Sequence, residues 1–198
     1  GPDLSQVGSR VLPDYLRRFI AEPTKTQPGV TMPDLLAGKS TAEQAEVAEA
    51  ITHFLVAKAS GPFSLRKGGD GDLVVGKQLF HEIGCVACHA PRDDKGQELV
   101  PPGLLSLTHL SQKYGRESLA EFLFQPHRVR PSGRMPDFQL SRKEANDLAT
   151  YLIGDNAKPV QPLRVRKELV QKGRTYFRQY NCVACHLLKG EPAGGKAL

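Results

Sequence analysis

The chain has 198 residues, of which 39% are hydrophobic and 24% charged, and it contains no tryptophan. No stretch approaches the ~18 apolar residues that a membrane helix needs, so we predict no membrane span. The formal net charge of +6 favours an acidic partner or an anionic surface. Nucleic-acid binding is not expected, because no aromatic residues interleave the basic clusters, which are Arg128, Arg130 and Arg134, and Arg164, Arg166 and Lys167.

Hydrophobic periodicity predicts an α-helical protein, and no alternating strand pattern of useful length is present. Apolar residues recur at three- and four-residue steps over 40–58 and 141–153, and 10–21 and 117–124 are shorter amphipathic helices. Ser141 with Glu144 forms a capping-box pattern, and Ser40 or Thr41 forms a similar one with Glu43 or Gln44. Segments rich in Gly, Pro or charge predict linkers at 59–72 and 155–167.

The pentapeptide Cys-Val-Ala-Cys-His occurs twice, at 85–89 and 182–186, and these copies use all four cysteines. Two thiols at this spacing can each bind a porphyrin vinyl group, and the histidine that follows can bind the iron. The motif therefore predicts two covalently bound haem c groups, attached to Cys85 and Cys88 with His89 as ligand, and to Cys182 and Cys185 with His186 as ligand.

Zinc and disulfides are the alternative uses of closely spaced cysteines. Zinc fits the spacing poorly, because 93 residues separate Cys88 from Cys182, far more than separate the pairs of a zinc ribbon. A disulfide leaves the two identical sequence contexts unexplained.

The surroundings of the two motifs also repeat, but out of phase. A Gly-x-x-x-Phe pattern begins nine residues before each first cysteine, at Gly76 and at Gly173. A Pro-x8-Met-Pro-Asp pattern occurs at 23–34 and at 126–137, followed in each case by a predicted long helix. Only the first motif is followed by such a methionine segment, whereas the other methionine segment, at 23–34, precedes both motifs.

The spacing across the chain ends suggests how the outer segments pair. Pro102 lies 13 residues after His89, and Pro2 would lie 14 residues after His186 if Leu198 were joined to Gly1. We therefore predict a complete domain at 73–154 and a circularly permuted domain, in which 168–198 supplies the haem-attachment half and 1–58 the methionine half. Two alternatives stay open: outer halves that pair between neighbouring chains, and a piece excised from a longer tandem array.

With these motifs assembled, the chain resembles the class I c-type cytochromes over nearly its whole length. The shared order is a Gly-x-x-x-Phe helix, the CxxCH motif, a Pro-x-Leu turn, a Met-Pro loop and a final helix with an aromatic residue. The resemblance implies an all-α fold of two cytochrome c-like haem domains, in which the first and last helices of each domain cross. The chain departs from the family in two ways: its segment at 105–114 is longer, and it lacks the tryptophan often found near the methionine loop.

The resemblance also implies the remaining contacts of each haem. A backbone carbonyl of the Pro-x-Leu turn orients the ligating histidine, and the matching positions are Pro102 or Pro101 in the central domain and Pro2 in the permuted one. Met135 is expected to pair with His89, and Met32 with His186. One methionine for each motif suits electron transfer, because a thioether opposite histidine raises the potential of the haem.

Four further histidines have no place in this ligand set. His53 and His81 are expected on helix surfaces next to Phe54 and Phe80. His127 is expected to contact a propionate, and His109 is the best alternative ligand if Met32 does not bind.

These features predict an electron carrier rather than an enzyme, because iron with both axial positions filled exchanges electrons without binding a substrate. We expect redox partner proteins with an acidic docking surface, in a respiratory or similar chain. The alternatives are a dihaem peroxidase-type enzyme, a haem module of a larger electron-transfer complex and a sensory module. Families with this motif mature outside the bacterial cytoplasm, so we expect a periplasmic or otherwise exported protein whose signal peptide is not in this chain.

Overall fold

A computed structural model describes residues 1–59, 70–130, 133–154 and 162–192. These residues form α-helices and short 3₁₀ turns, with two isolated β-bridges and no strand, so the all-α prediction is confirmed for the described part of the chain. They divide into two compact units. We call residues 70–154 the central unit, and residues 1–59 with 162–192 the outer unit.

The helices are, in chain order, α1 (Val7–Arg10), α2 (Pro13–Ala21), α3 (Pro23–Thr26), α4 (Thr41–Lys58), α5 (Leu73–Glu82), α6 (Leu110–Lys113), α7 (Arg116–Phe124), α8 (Pro126–Val129), α9 (Arg142–Ile153) and α10 (Lys167–Gln179). In the outer unit α4 packs against α10, α2 and α1, and in the central unit α9 packs against α5, α7 and α6.

The outer unit is centred on the crossing of α10 with α4. A methyl group added at Gly173 would overlap the Ala50 carbonyl oxygen and lie 2.8 Å from Cβ of Phe54. Only glycine allows the two backbones to approach this closely. Phe177, one turn further along α10, packs on Phe54 with a ring-centroid distance of 5.5 Å, and both rings are buried.

The central unit has the same crossing between α5 and α9. A methyl group at Gly76 would overlap the Asp147 carbonyl oxygen and lie 2.9 Å from Cβ of Tyr151. Phe80 packs on Tyr151 with a ring-centroid distance of 5.6 Å. Each Gly-x-x-x-Phe pattern therefore supplies one close helix crossing and one buried aromatic pair.

The starts of the long helices follow the predicted capping boxes. The Ser40 hydroxyl accepts a hydrogen bond from the Glu43 N–H and the Glu43 carboxylate accepts one from the Ser40 N–H, and Ser141 and Glu144 form the same pair. These reciprocal bonds satisfy backbone donors that the first turn leaves free. Both capping-box predictions are confirmed.

The helix predicted at 10–21 begins only at Pro13, and Arg10 ends a separate short helix, α1. Pro13 occupies the first turn of α2, and the preceding residue, Leu12, has an extended backbone, so α1 and α2 are separate. A proline disfavours helical conformation in the residue before it, which explains the break. Pro23 and Pro126 begin the additional short helices α3 and α8, which periodicity alone did not predict.

Most of the two predicted linkers lies outside the described residues. At the end of the first one, Gly71 contacts α9, and the Asp72 N–H donates a hydrogen bond of 2.8 Å to Asp147 Oδ1. At the end of the second, Arg166 is the N-cap of α10. These linker ends are therefore parts of the packed units.

His53 is not a surface residue, contrary to the prediction, since its exposed fraction is 1%. The Arg166 N–H donates to His53 Nδ1 at 3.1 Å, and Nε2 lies 3.0 Å from Glu49 Oε1. Because Nδ1 accepts, the proton lies on Nε2 and is donated to Glu49. His53 thus joins the start of α10 to α4. His81 is half-buried, with Nδ1 donating to the Lys77 carbonyl oxygen at 2.8 Å.

Candidate haem-binding sites

The first Cys-Val-Ala-Cys-His copy follows α5 directly. Gly84 adopts a left-handed conformation with φ of 104°, and a 3₁₀ turn over Cys85–Ala87 follows it. Cys85 is half-buried and Cys88 is exposed. The His89 N–H donates to the Cys85 carbonyl oxygen at 3.0 Å, which closes the turn.

The second copy is built in the same way after α10. Asn181 takes the left-handed position with φ of 51°, and the 3₁₀ turn covers Cys182–Ala184. Cys182 is half-buried, Cys185 is exposed, and the His186 N–H donates to the Cys182 carbonyl oxygen at 3.0 Å. Asparagine tolerates this backbone conformation better than most residues, so it replaces glycine here at modest cost.

All four cysteines are free thiols in the structure. Burial raises the pKa of Cys85, and it raises the pKa of Cys182 to about 11. Within the described segments, no group of three or more His, Cys, Asp and Glu side chains is placed to hold a metal ion. The zinc alternative therefore finds no complete ligand set there, whereas both thiols of each motif are unpaired, as thioether attachment requires.

The two motif histidines are half-buried, and desolvation lowers the pKa of each. His186 Nδ1 lies 3.0 Å from the Pro2 carbonyl oxygen, to which it donates. The other ring nitrogen, Nε2, is then left as the unprotonated one, the form that binds iron. His186 therefore has the tautomer and the charge that a haem ligand needs.

His89 has a different backbone neighbour from the one predicted. Leu105, rather than Pro102 or Pro101, pairs with His89 in an isolated bridge, and its carbonyl opposes the lowering of the His89 pKa. That carbonyl also accepts a hydrogen bond from the Ala90 N–H at 3.0 Å. Nδ1 of His89 is buried, and the Leu105 backbone is the acceptor that acts on the ring.

The two methionine segments lie in the units of the expected histidines. Met135 is in the central unit with His89, and Met32 is in the outer unit with His186. Both methionines are half-buried. The aspartate that follows each one forms a local turn, since Asp137 Oδ1 accepts from the Gln139 N–H at 2.8 Å and Asp34 Oδ1 from the Leu36 N–H at 3.1 Å.

His127 and His109 both lie in the central unit. His127 Nε2 donates to the Met135 carbonyl oxygen at 3.0 Å, so it contacts the methionine segment itself. Burial lowers the pKa of His109 to about 4, helped by the positive charge of Lys113, by His89 and by Arg130. His109 therefore lies near His89, within the central unit.

A buried cation occupies the same place in each unit, and the sequence reading missed both. Arg10 ends α1 with 5% of its surface exposed, and Lys113 ends α6 with 8% exposed. Buried positive charges suit the propionate carboxylates of a haem. The signal was present in the repeat, because Leu4-x-x-Val7-x-x-Arg10 matches Leu107-x-x-Leu110-x-x-Lys113.

Comparison with known proteins supports this site in one of the two units. Residues 73–154 match the cytochrome c family model. This segment is a cytochrome c domain, which implies covalently bound haem c.

A cytochrome c-552 of Bradyrhizobium diazoefficiens is 34% identical over 70 residues, which are 34% of this chain and 61% of that protein. The chain thus spans less than two thirds of that relative. No solved structure matches the chain. No helix in the described segments is long and apolar enough to cross a membrane.

Proposed function

We propose that the chain is a dihaem c-type cytochrome that transfers electrons between a donor and an acceptor protein of a respiratory or similar chain. The central unit holds one haem c through Cys85, Cys88, His89 and Met135. The outer unit is a circularly permuted cytochrome c domain and holds the second haem c through Cys182, Cys185, His186 and Met32.

The repeated helix crossing is the observation that carries this proposal. Gly173 meets the carbonyl of Ala50 as Gly76 meets that of Asp147, and the aromatic pairs beside them have nearly equal ring distances of 5.5 and 5.6 Å. The central unit matches the cytochrome c family over 73–154. The same construction in the outer unit, next to the same pentapeptide, supports the same cofactor there.

Contacts between the chain ends support pairing of the outer halves within one chain. Besides the Pro2 contact with His186, the Leu4 N–H donates to the Leu187 carbonyl oxygen at 2.8 Å. The Lys189 N–H donates to Ser5 Oγ at 3.0 Å. The residues after the second motif therefore bond to the residues that precede α1, where a contiguous domain would have a single loop.

When bound, haem supplies a one-electron change between ferrous and ferric iron. The residues would determine how that change is used: the cysteines would hold the porphyrin through thioethers, and a neutral histidine and a methionine would bind the iron. With both protein ligands in place the iron would have no position for peroxide, so this ligand set favours electron transfer over peroxidase chemistry. Arg130 and Arg134 are exposed near Met135 and suit an acidic partner, and covalent haem attachment favours export.

Haem counting tests the proposal directly. The chain would be matured with a cytochrome c attachment system, and its haems counted by intact mass and by absorption per polypeptide. We expect two haems, with one lost on Cys182→Ala/Cys185→Ala and one lost on Cys85→Ala/Cys88→Ala. A wild-type protein that carries a single haem would overturn the proposal.

Methionine substitution tests the pairing of the halves. Met32→Ala and the matched variant Met135→Ala should each remove one of two methionine-to-iron charge-transfer bands while both haems stay attached. If Met32→Ala keeps both bands in a confirmed monomer, the permuted pairing is wrong.

A further inference from the structure

The last part of α10 presents cations around one buried carboxylate. The side chain of Glu191 is fully buried and accepts hydrogen bonds from Arg174 Nε at 2.8 Å and from Arg178 Nε at 2.9 Å. Lys58 Nζ, at the end of α4, lies 3.9 Å from the same carboxylate. We call these four residues the Glu191 cluster. Three positive charges meet one negative charge there, so two positive charges remain in excess.

The buried carboxylate holds both guanidinium groups in place. Arg174 approaches it through Nε, and Arg178 approaches it through Nε and Nη2. The two side chains are nevertheless 43% and 50% exposed, so the outer edge of each guanidinium meets solvent. An arginine that is already ordered loses less conformational entropy when it binds, and its planar fork matches a carboxylate. The pair is therefore preorganised to receive carboxylates from outside.

Neighbouring charges leave this excess unchanged. Lys189 is exposed and adds a cation, and the exposed Asp3, which lines the same groove as Lys189, offsets it. The Glu46 carboxylate does not reduce the excess either, because it pairs with Lys172 at 2.7 Å. The surface around the Glu191 cluster thus keeps two positive charges in excess.

The central unit has no such excess at the matching positions. Lys77 and Asp94 stand at the same distances from the first motif as Arg174 and Glu191 do from the second. Lys77 Nζ pairs with Asp94 at 2.9 Å, so one cation meets one carboxylate, and that carboxylate is fully exposed. His81 stands in the position of Arg178, and its Nδ1 donates to a backbone carbonyl oxygen rather than to a carboxylate. The preorganised cations are therefore a feature of the outer unit.

The Glu191 cluster also flanks the second motif in the sequence, since Arg178 lies four residues before Cys182 and Glu191 five residues after His186. Resting on the function proposed above, we propose that the Glu191 cluster is a docking surface for an acidic redox partner protein. It is separate from the arginines near Met135, so each unit has a basic surface of its own. A donor and an acceptor can then bind to different units.

A peptide of ten glutamates is the probe for this surface, titrated into the reduced, diamagnetic holoprotein and followed by NMR. We expect the Nε–H signals of Arg174 and Arg178 and the backbone amides of 187–191 to shift along one saturable curve. Lys189→Gln should weaken this binding about threefold, because it removes one exposed charge and leaves the buried carboxylate untouched. Lys95→Gln, the same charge change in the central unit, should leave the affinity as it is. Absence of shifts at 187–191 would overturn the proposal.

Glu191→Gln separates preorganisation from net charge. The substitution adds one positive charge to the surface but releases both guanidinium groups, so we expect the peptide to bind about threefold more weakly. Asp94→Asn makes the same charge change at the matching exposed position and should not alter the binding at 187–191. Tighter binding to Glu191→Gln would show that net charge alone attracts the peptide and would overturn the surface as a built site. If α10 loses its amide protection in this variant, Lys189→Gln decides instead.

Vesicles of phosphatidylglycerol test the other acidic surface that could bind here. Vesicle binding that Lys189→Gln weakens, without any binding of the glutamate peptide, would overturn the protein partner in favour of a membrane surface. The number of haems is a separate measurement. A single-haem protein would overturn the proposed function, whereas failure of the peptide to bind a dihaem protein would overturn only the docking surface.

Discussion

The central and outer units show one helix crossing made from two chain orders. In the central unit α5 and α9 belong to one continuous segment, whereas in the outer unit α4 comes from the start of the chain and α10 from its end. The crossing depends on which surfaces meet, and both orders bring a glycine against a carbonyl. The two units differ in the length of chain between their crossing helices. In the outer unit the whole central unit lies between α4 and α10, so a larger loop must be closed before the two halves meet.

Restoring the chain order gives the largest expected effect. A chain in which residues 162–198 are followed directly by 1–59 should carry one haem with a methionine-to-iron band, as a contiguous domain would. Residues 162–198 alone should carry a haem without that band, because Met32 is absent. Absorption and mass distinguish the two, and a band in the short fragment would contradict the pairing.

Filling the crossing is the next largest perturbation. Gly173→Ala and Gly76→Ala should each destabilise their own unit by about 3 kcal/mol, because the added methyl group overlaps a backbone carbonyl that cannot move aside. Amide hydrogen exchange read by mass spectrometry would locate the loss of protection. Unchanged protection of the outer unit in Gly173→Ala would rule out the crossing there.

Removing the hydrogen bonds by which His53 connects α4 to the start of α10 should destabilise the outer unit less than filling the crossing does, but measurably. His53→Ala removes both ring hydrogen bonds and leaves a cavity, which should cost about 2 kcal/mol in the outer unit. Asp147→Ala is the matched change in the central unit, where Asp147 accepts from the Asp72 N–H before α5. Denaturant unfolding with exchange readout should show each loss in its own unit. An effect of His53→Ala in the central unit alone would refute this role.

The smallest expected difference between the units concerns the carboxylate that lies five residues after each motif histidine, which is Glu191 in the outer unit and Asp94 in the central unit. Glu191 has a fully buried side chain that accepts from Arg174 Nε at 2.8 Å and Arg178 Nε at 2.9 Å. Glu191→Gln should therefore cost about 1 kcal/mol in the outer unit. Asp94 bonds to Lys77 but is fully exposed, so Asp94→Asn should cause no measurable change. Thermal unfolding checks both, and equal effects would mean that burial does not separate the two ion pairs.

Local patterns in the sequence predicted the parts of the site that depend on neighbouring residues. The two cysteine motifs and the capping boxes at Ser40 and Ser141 are set within a few residues, and both capping boxes form as expected. The paired Gly-x-x-x-Phe patterns also identified the helices that cross. A repeat in the chain made these predictions stronger than either copy alone would have.

Contacts between distant segments were the parts that sequence reading could not supply. His53 is buried because Arg166, 113 residues later, bonds to it, and helical periodicity does not report such a partner. Leu105 pairs with His89 in one bridge, and Arg92 pairs with Glu98 in a second bridge that closes the loop between them. The spacing of residues in the sequence does not reveal which residues these bridges pair. The break before Pro13 is different, because it could have been predicted locally: a proline disfavours helical conformation in the residue before it, here Leu12.

The bond between Pro2 and His186 also has a consequence for synthesis. Domains generally fold in the order in which they are synthesised. Here α1 to α4 are made before α10, against which α4 packs, while the central unit, made in between, already has all its helices. The segment from α1 to α4 is thus made before the central unit but completed after it, and a chaperone or an early-bound surface would have to protect its apolar α4 face during that interval.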